Sequence, residues 1–302
     1  MTENKNHNRL ERLIKSLTIT DNQKDFLQEK ADTFFNMLKS ISQDLTPYWS
    51  SLYLSKSTYK YTLKRFWFRG SFERGLFIKN RFDVEIYFIY SKNNTSPNEK
   101  SNLIGKQLFE LLYSNLKVYE FNYRENMKLL KLPPYGHNIP IRLDYHSISI
   151  LFDCVPSIEL SNGDLIIPNG MGGIKKISPT LEEKALSKLN KKQNGKITKL
   201  IVLMKYWNFN WGKSIEGYLV ERLVESIFDK IAIQSWDQTV KTFFNQAISI
   251  LDKQKFLPDR VFDKYSLLDE YSSDDLNKFI KVIKEAKNCG QKGEWKNIFS
   301  VP

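Results

Sequence analysis

Asp83 and Glu85 are the residues whose types and spacing point most directly to chemistry in this 302-residue sequence. They sit in the run Asp83-Val-Glu-Ile-Tyr-Phe-Ile-Tyr90, whose β-branched and aromatic content reads as a buried strand. Side chains two apart on a strand leave the same face. Two acids there repel each other and lose solvation wherever that face is covered, so the pair is costly unless a cation lies between them. Oxygen donors of this kind suit Mg²⁺ or Mn²⁺, which share their remaining positions with water and phosphate oxygens. Upstream, Gly70-Ser71 offers a tight turn whose backbone N–H groups and hydroxyl can hold a triphosphate. A third acid, Asp153, ends a strand-like run on the Ser147/Ser149/Leu151 face and is followed by Cys154-Val155-Pro156. Three carboxylates on adjacent strands are what two-metal phosphoryl transfer uses.

The elements that must position these groups follow from periodicity. Phe26, Leu27, Ala31, Phe34, Phe35, Leu38 and Ile41 fall on one helical face, predicting a long helix over Lys24–Ile41 with Asp21 as its cap. Phe66–Phe68 reads as a short strand, Gly70–Gly75 as a turn, Ser91–Asn98 as a loop and Leu103–Leu116 as a helix. Ile139–Asp153 holds two more strand-like runs. Ser161–Pro179, with four glycines and two prolines, is the expected domain boundary. Beyond it the period is helical, over Leu181–Leu189, Ile197–Trp207, Tyr218–Ile231, Val240–Leu251 and Leu276–Cys289. The expected layout is a mixed first half, residues 1–175 with the N-terminal helix, and a helical second half, residues 176–302.

Composition bounds the function. A hydrophobic fraction of 41% and a charged fraction of 26% exclude a disordered or collagen-like chain. No stretch approaches the roughly 18 apolar residues of a membrane span, and the first residues lack a signal-peptide apolar region. Cys154 and Cys289 cannot build a disulfide framework, so a cytoplasmic setting and no membrane partner are expected. The formal net charge of +12 favours phosphate-bearing partners. Ten lysines against two glutamates lie between Lys175 and Lys213. Lys184, Lys188, Lys191 and Lys192 fall on one helix face, which is either a solvated face or a surface for RNA or a polyphosphate. His137 and His146 have no metal-ligand spacing with Cys154. Tyr206, Trp207, Phe209 and Trp211 read as core packing before base stacking. Gly170, Gly172 and Gly173 lack the following Lys-Ser/Thr of a P-loop and read as a flexible connection.

The longer pattern carries a resemblance. Ser71 precedes Asp83 by 12 residues, and Asp153-Cys-Val-Pro156 follows at a distance. Then come Ser178-Pro179, Leu200-Ile-Val-Leu-Met-Lys205-Tyr-Trp207-Asn, Gly217-Tyr-Leu-Val-Glu221-Arg-Leu and Glu294-Trp295-Lys-Asn-Ile-Phe299. Together these resemble the polymerase-β-like nucleotidyltransferases. The match is closest to the CD-NTases, bacterial relatives of cyclic GMP-AMP synthase and oligoadenylate synthetase. The archaeal-type CCA-adding enzymes share much of the pattern. Leu76 stands where the family carries threonine, Glu85 replaces the usual second aspartate, and Gly217 stands where a triphosphate-contacting serine is expected. A register pairing Arg81 with Asp83 would give a broken metal site; the gap-free spacing favours Asp83 and Glu85.

The resemblance implies an α+β fold: a polymerase-β-like core of mixed sheet and flanking helices, a C-terminal helical lobe, and an active site in the cleft. It implies that Asp83, Glu85 and Asp153 hold Mg²⁺ or Mn²⁺, that Gly70 and Ser71 cradle the β/γ-phosphates, and that Lys205, with Lys199 as a second candidate, meets the triphosphate. The implied reaction joins NTPs, ATP among them, into a cyclic or short linear oligonucleotide. That product would act on a downstream effector in anti-phage signalling. The alternatives are an RNA-directed, CCA-adding-like nucleotidyltransferase and a catalytically inactive nucleotide or RNA sensor, the latter prompted by Leu76, Glu85 and Gly217.

Overall fold

The strand predicted around Asp83 is the spine of a seven-stranded mixed sheet. In this computed structural model the described residues are 2–18, 20–29, 32, 33, 36, 61–71, 73–76, 78, 83–92, 101–122, 127–129, 138–145, 148–169, 173–212, 216–253, 256–261 and 266–299. The strands are β1 (Tyr61–Arg69), β2 (Asp83–Lys92), β3 (Met127–Leu129), β4 (Ile139–Tyr145), β5 (Ile148–Glu159), β6 (Leu165–Pro168) and β7 (Ile174–Ile177). Their order is β1-β2-β5-β4-β3, with β6 pairing the end of β5 and β7 pairing β6. β2 and β5 are parallel, and every other pair is antiparallel. A parallel pair needs a long crossover, and here it runs through helix α3 (Ser101–Asn122) and the β3–β4 pair.

Apolar residues occupy both faces of β2, as expected for a central strand. Val84, Ile86, Phe88 and Tyr90 are buried on one side, and Phe88 meets Phe66 edge to face at 4.8 Å between ring centres. On the other side Tyr87 and Ile89 join Val155, Leu165 and Ile167 in a second cluster, with Trp67 and Ile177 packed against it. Helix α3 lies against β3, β5, β6 and β7. Its Leu108, Leu112 and Leu116 recur every four residues and are fully buried. Glu120 fixes the helix end by accepting from the Leu129 N–H at 2.8 Å.

The remaining helices are α1 (Thr2–Leu17), α2 (residues 21–29), α4 (Pro179–Lys192), α5 (Lys196–Asn210), α6 (Gly217–Phe228), α7 (Trp236–Asp252), α8 (Ser273–Gln291) and α9 (Trp295–Ile298). Contacts divide the chain into two compact units. One comprises Ile19–Gly75 and Asn80–Thr180 and holds the sheet; the other comprises Met1–Thr18, Leu76–Lys79 and Leu181–Pro302. The core of the helical unit centres on Trp207, which packs on Phe244 at 5.1 Å, Phe279 at 5.8 Å and Phe243 at 6.4 Å between ring centres. Each such ring buries a large apolar surface.

Several expectations change. Helix α1 was not anticipated, although Leu10, Ile14 and Leu17 repeat at helical spacing and are buried. It packs on α5 and α7 and belongs with the helical unit, whereas α2, which holds described residues of the predicted N-terminal helix, lies in the unit that holds the sheet. Of the predicted Lys24–Ile41 helix, residues 24–29, 32, 33 and 36 are helical, while Ala31, Phe34, Phe35, Leu38 and Ile41 lie outside the described residues. Its cap is Thr20 rather than Asp21. The Gln23 N–H donates to Thr20 Oγ1 at 3.3 Å and the Thr20 N–H donates to Gln23 Oε1 at 3.0 Å, a reciprocal box that an aspartate one residue later cannot close. The Ser161–Pro179 stretch is a β-hairpin rather than a plain connection, because Leu165 and Ile167 gain burial against β5. The unit boundary falls just past it, between Thr180 and Leu181. Gly170, Gly172, His137, His146, Arg81 and Lys213 lie outside the described residues.

Candidate active site

Pairing register brings the candidate carboxylates together. Glu85 on β2 stands opposite Asp153 on β5, and Asp83, which opens β2, stands opposite Leu151. Neighbouring strands lie about 4.8 Å apart, so Glu85 and Asp153 project side by side from one face. Both are partly exposed. The Asp83 side chain lies outside what the structure describes. Tyr87, next along the same face, donates its hydroxyl to Glu85 Oε1 at 2.9 Å. That hydrogen bond orients one carboxylate oxygen; Tyr87 was not singled out in the sequence, although its i+2 spacing from Glu85 was visible there.

The turn after β1 completes the site. Gly70 has φ +76°, a left-handed conformation that L side chains rarely adopt, and a methyl there would overlap the Glu85 carboxylate and lie 3.0 Å from its Cβ. Glycine therefore lets the turn backbone lie directly on the acid. The turn is closed by the Arg74 N–H and Nε, which donate to the Gly70 carbonyl at 3.4 and 3.1 Å. Ser71 follows Gly70 in this turn and is partly exposed. These residues fit a divalent cation with bound phosphate: two oxygen donors adjacent in one ladder, one oriented by a hydroxyl, and a glycine turn whose backbone lies against the carboxylate. In β5, burial pushes the Cys154 thiol well above its ordinary value, with the Asp153 charge adding to the effect. The thiol is inert, and Asp153 is the functional candidate of that pair.

Two departures from the family pattern acquire structural reasons. Leu76 is 1% exposed and belongs to the apolar core of the helical unit, so it anchors that core rather than vacating a hydroxyl position. Gly217 opens α6, and a Cβ there would come within 2.8 Å of Lys205 Cε. Lys205 lies across it with its ammonium 2.8 Å from Glu221 Oε1. Lys199 is exposed on α5.

The other candidates separate. Trp207 and Tyr206 are buried as core aromatics, and the Trp211 indole N–H donates to the Ile298 carbonyl at 3.0 Å. Lys184, Lys188 and Lys191 are exposed on α4, while Lys192 is committed to Asp229, with its carboxylate at 2.8 Å and its carbonyl at 2.6 Å. The Trp295 motif is structural: its indole N–H donates at 2.7 Å to Asp237, which is 1% exposed and also accepts from Lys241 at 2.6 Å. Arg260 was missed in the sequence because it belongs to no periodic element. Its side chain is 2% exposed and pairs with Glu221 and Glu225, and its guanidinium lies over the Tyr218 ring.

With this geometry in place, the chain superposes along nearly its whole length on CdnC of E. coli MS115-1, solved with ATP, at a TM-score of 0.70. The match covers 98% of this chain and 97% of CdnC at 14% identity. The chain has the CD-NTase fold. A second CD-NTase, the Vibrio cholerae DncV cyclic AMP-GMP synthase solved with the linear intermediate pppA(3′,5′)pG, matches at a TM-score of 0.66 and 13% identity, over 93% of this chain and 88% of DncV. In sequence, a probable cyclic nucleotide synthase of Bacillus cereus (strain VD146) is 24% identical over 241 residues, 73% of this chain and 71% of its own length. No protein-family model matches the chain. Among the described residues, no helix is long and apolar enough to cross a membrane.

Proposed function

We propose that this CD-NTase-fold chain is a nucleotidyltransferase that joins NTPs, with release of pyrophosphate, into a cyclic or short linear oligonucleotide. The observation that carries this reading is the register of Glu85 against Asp153 under the Gly70 turn. The relative in Bacillus cereus and the fold shared with CdnC and DncV point the same way.

In the mechanism that follows, the Gly70-Ser71 turn binds the β- and γ-phosphates of the donor through backbone N–H groups and the Ser71 hydroxyl. Glu85, oriented by Tyr87, and Asp153, together with Asp83, would hold the divalent cation. When bound, Mg²⁺ or Mn²⁺ offsets the charge gathering on the α-phosphate and lowers the cost of deprotonating the attacking hydroxyl. A ribose hydroxyl of the acceptor forms a new P–O bond at the donor α-phosphorus, and the bond to pyrophosphate breaks in line. Lys205 is the proposed triphosphate contact from the helical unit, with Lys199 second. Glu85 in place of aspartate lengthens one ligand arm by a methylene without changing its donor type.

ATP is the first substrate to test. The proposed product is a second messenger acting on a downstream effector in anti-phage defence, within the cytoplasm. The RNA-directed reading is set second, because no observation on α4 beyond exposure favours RNA there. The discriminating experiment measures pyrophosphate release from NTPs with Mg²⁺, with and without added RNA. Release without RNA supports messenger synthesis; release only with RNA supports the CCA-adding-like reading. Tight NTP binding without release under either condition supports the inactive sensor.

A further inference from the structure

Lys205, Gly217 and Glu221 form one constellation on the facing surfaces of α5 and α6. The Lys205 ammonium is paired with a carboxylate that is 1% exposed, while the lysine side chain keeps 14% exposure. The lysine stem crosses α6 at Gly217, where a Cβ would come within 2.8 Å of Cε, well inside van der Waals contact. The missing side chain is therefore what allows the pair to form. Glu221 is itself fixed from behind: its Oε2 lies 3.4 Å from Arg260 Nη2, and Arg260 is further held by Glu225, to which its Nε donates at 2.9 Å, and by the ring of Tyr218. A buried carboxylate tied to a buried guanidinium stays in place, whereas a lysine on a flexible four-carbon stem can change rotamer. A triphosphate offers an ammonium the same kind of oxygen ligand as Glu221, with more charge.

We propose that Glu221 is a positioning residue that competes with the nucleotide triphosphate for the Lys205 ammonium, and that Gly217 is the residue that admits this resting pair. The inference rests on the reading of Lys205 as a triphosphate contact. It assigns a purpose to the glycine found where the family pattern expects serine: the hydroxyl is exchanged for room in which the lysine can be held. Nucleotide binding then includes withdrawal of Lys205 from Glu221, and the strength of that pair lowers the apparent affinity.

The test is calorimetric binding of α,β-methylene ATP with Mg²⁺ to the wild type, Glu221→Gln, Lys205→Met and the double variant. Glu221→Gln is expected to bind about tenfold more tightly, Lys205→Met more weakly, and the double variant no differently from Lys205→Met alone. Gly217→Ala, which leaves Glu221 and Arg260 intact, is expected to tighten binding in the same sense. If Glu221→Gln loses its cooperative melt, Gly217→Ala and Gly217→Ala/Lys205→Met supply the same comparison. Unchanged affinity in the folded single variants, or tightening that persists without Lys205, overturns the competition while leaving the nucleotidyltransferase reading intact. Absence of binding by every protein overturns that reading and this inference with it.

Discussion

Glu85 and Asp153 stand opposite each other in the parallel β2–β5 ladder, with Tyr87 donating to Glu85 at 2.9 Å and the Gly70 turn lying on the same carboxylate. Without a cation between them, two charged carboxylates side by side on one face repel each other. Replacing either by its amide should therefore leave the melting temperature equal or higher while removing a metal ligand. Glu85→Gln and Asp153→Asn are expected to lower pyrophosphate release by at least about 100-fold. A melting curve and a pyrophosphate assay on the same samples check both halves.

Gly70 and Gly75 separate backbone strain from loss of space. Both have positive φ, +76° and +67°, but only a Cβ at Gly70 meets neighbouring atoms, those of Glu85. Gly75→Ala should cost about 1 kcal/mol in stability and retain activity. Gly70→Ala should cost more, roughly 1–3 kcal/mol, and abolish activity by displacing the carboxylate. Denaturant titration beside the pyrophosphate assay distinguishes the two.

Much of this site was legible because strands and registers obey simple rules. The i, i+2 spacing placed Asp83 and Glu85 on one strand, and the run before Asp153 identified its neighbour. That Glu85 rather than Asp83 faces Asp153 depends on a pairing register set by long-range packing, which no local pattern contains. Gly217 illustrates the other direction. In the sequence it reads as a missing hydroxyl, and only the path of Lys205 across α6 gives it a positive reason. Helix α1 carried its signal in Leu10, Ile14 and Leu17, but its assignment to the helical unit depends on bonds 229 and 231 residues distant, from the Trp236 N–H to His7 Nδ1 and from Asn6 to Asp237. Arg260 lies in an irregular segment where periodicity is silent.

Asp237 makes the C-terminal Trp motif testable. Trp295→Phe keeps an aromatic ring but removes part of the fully buried indole and leaves a buried carboxylate short of one donor, which together cost about 2–5 kcal/mol and lower the melting temperature by several degrees. Nucleotide affinity should not change. Differential scanning calorimetry and analogue binding check the separation.

Asp164 in the β5–β6 turn gives a pH signature. The hydrogen bond from Lys176, at 2.6 Å, is the leading cause that holds its carboxyl below the ordinary aspartate value, with Ser178 and Asn162 adding to it. A depressed folded-state value means that this contribution is present above the unfolded value and lost as pH falls through the folded one. The stability difference between wild type and Asp164→Asn should therefore be constant above about pH 5 and shrink toward zero below about pH 3. Urea titrations across that range measure it. A difference that instead grows on acidification would contradict the assignment.

The most direct test incubates the purified protein with all four radiolabelled NTPs and Mg²⁺ or Mn²⁺, without nucleic acid, beside Asp83→Ala/Glu85→Ala and a chelator control. A small phosphatase-resistant product is expected, absent from both controls and restored when metal is returned, with omission of each NTP naming the bases. A product that survives loss of both carboxylates would contradict the site. Failure of the wild type to release pyrophosphate with either metal, with or without RNA, while it still binds NTPs, would contradict the nucleotidyltransferase reading itself.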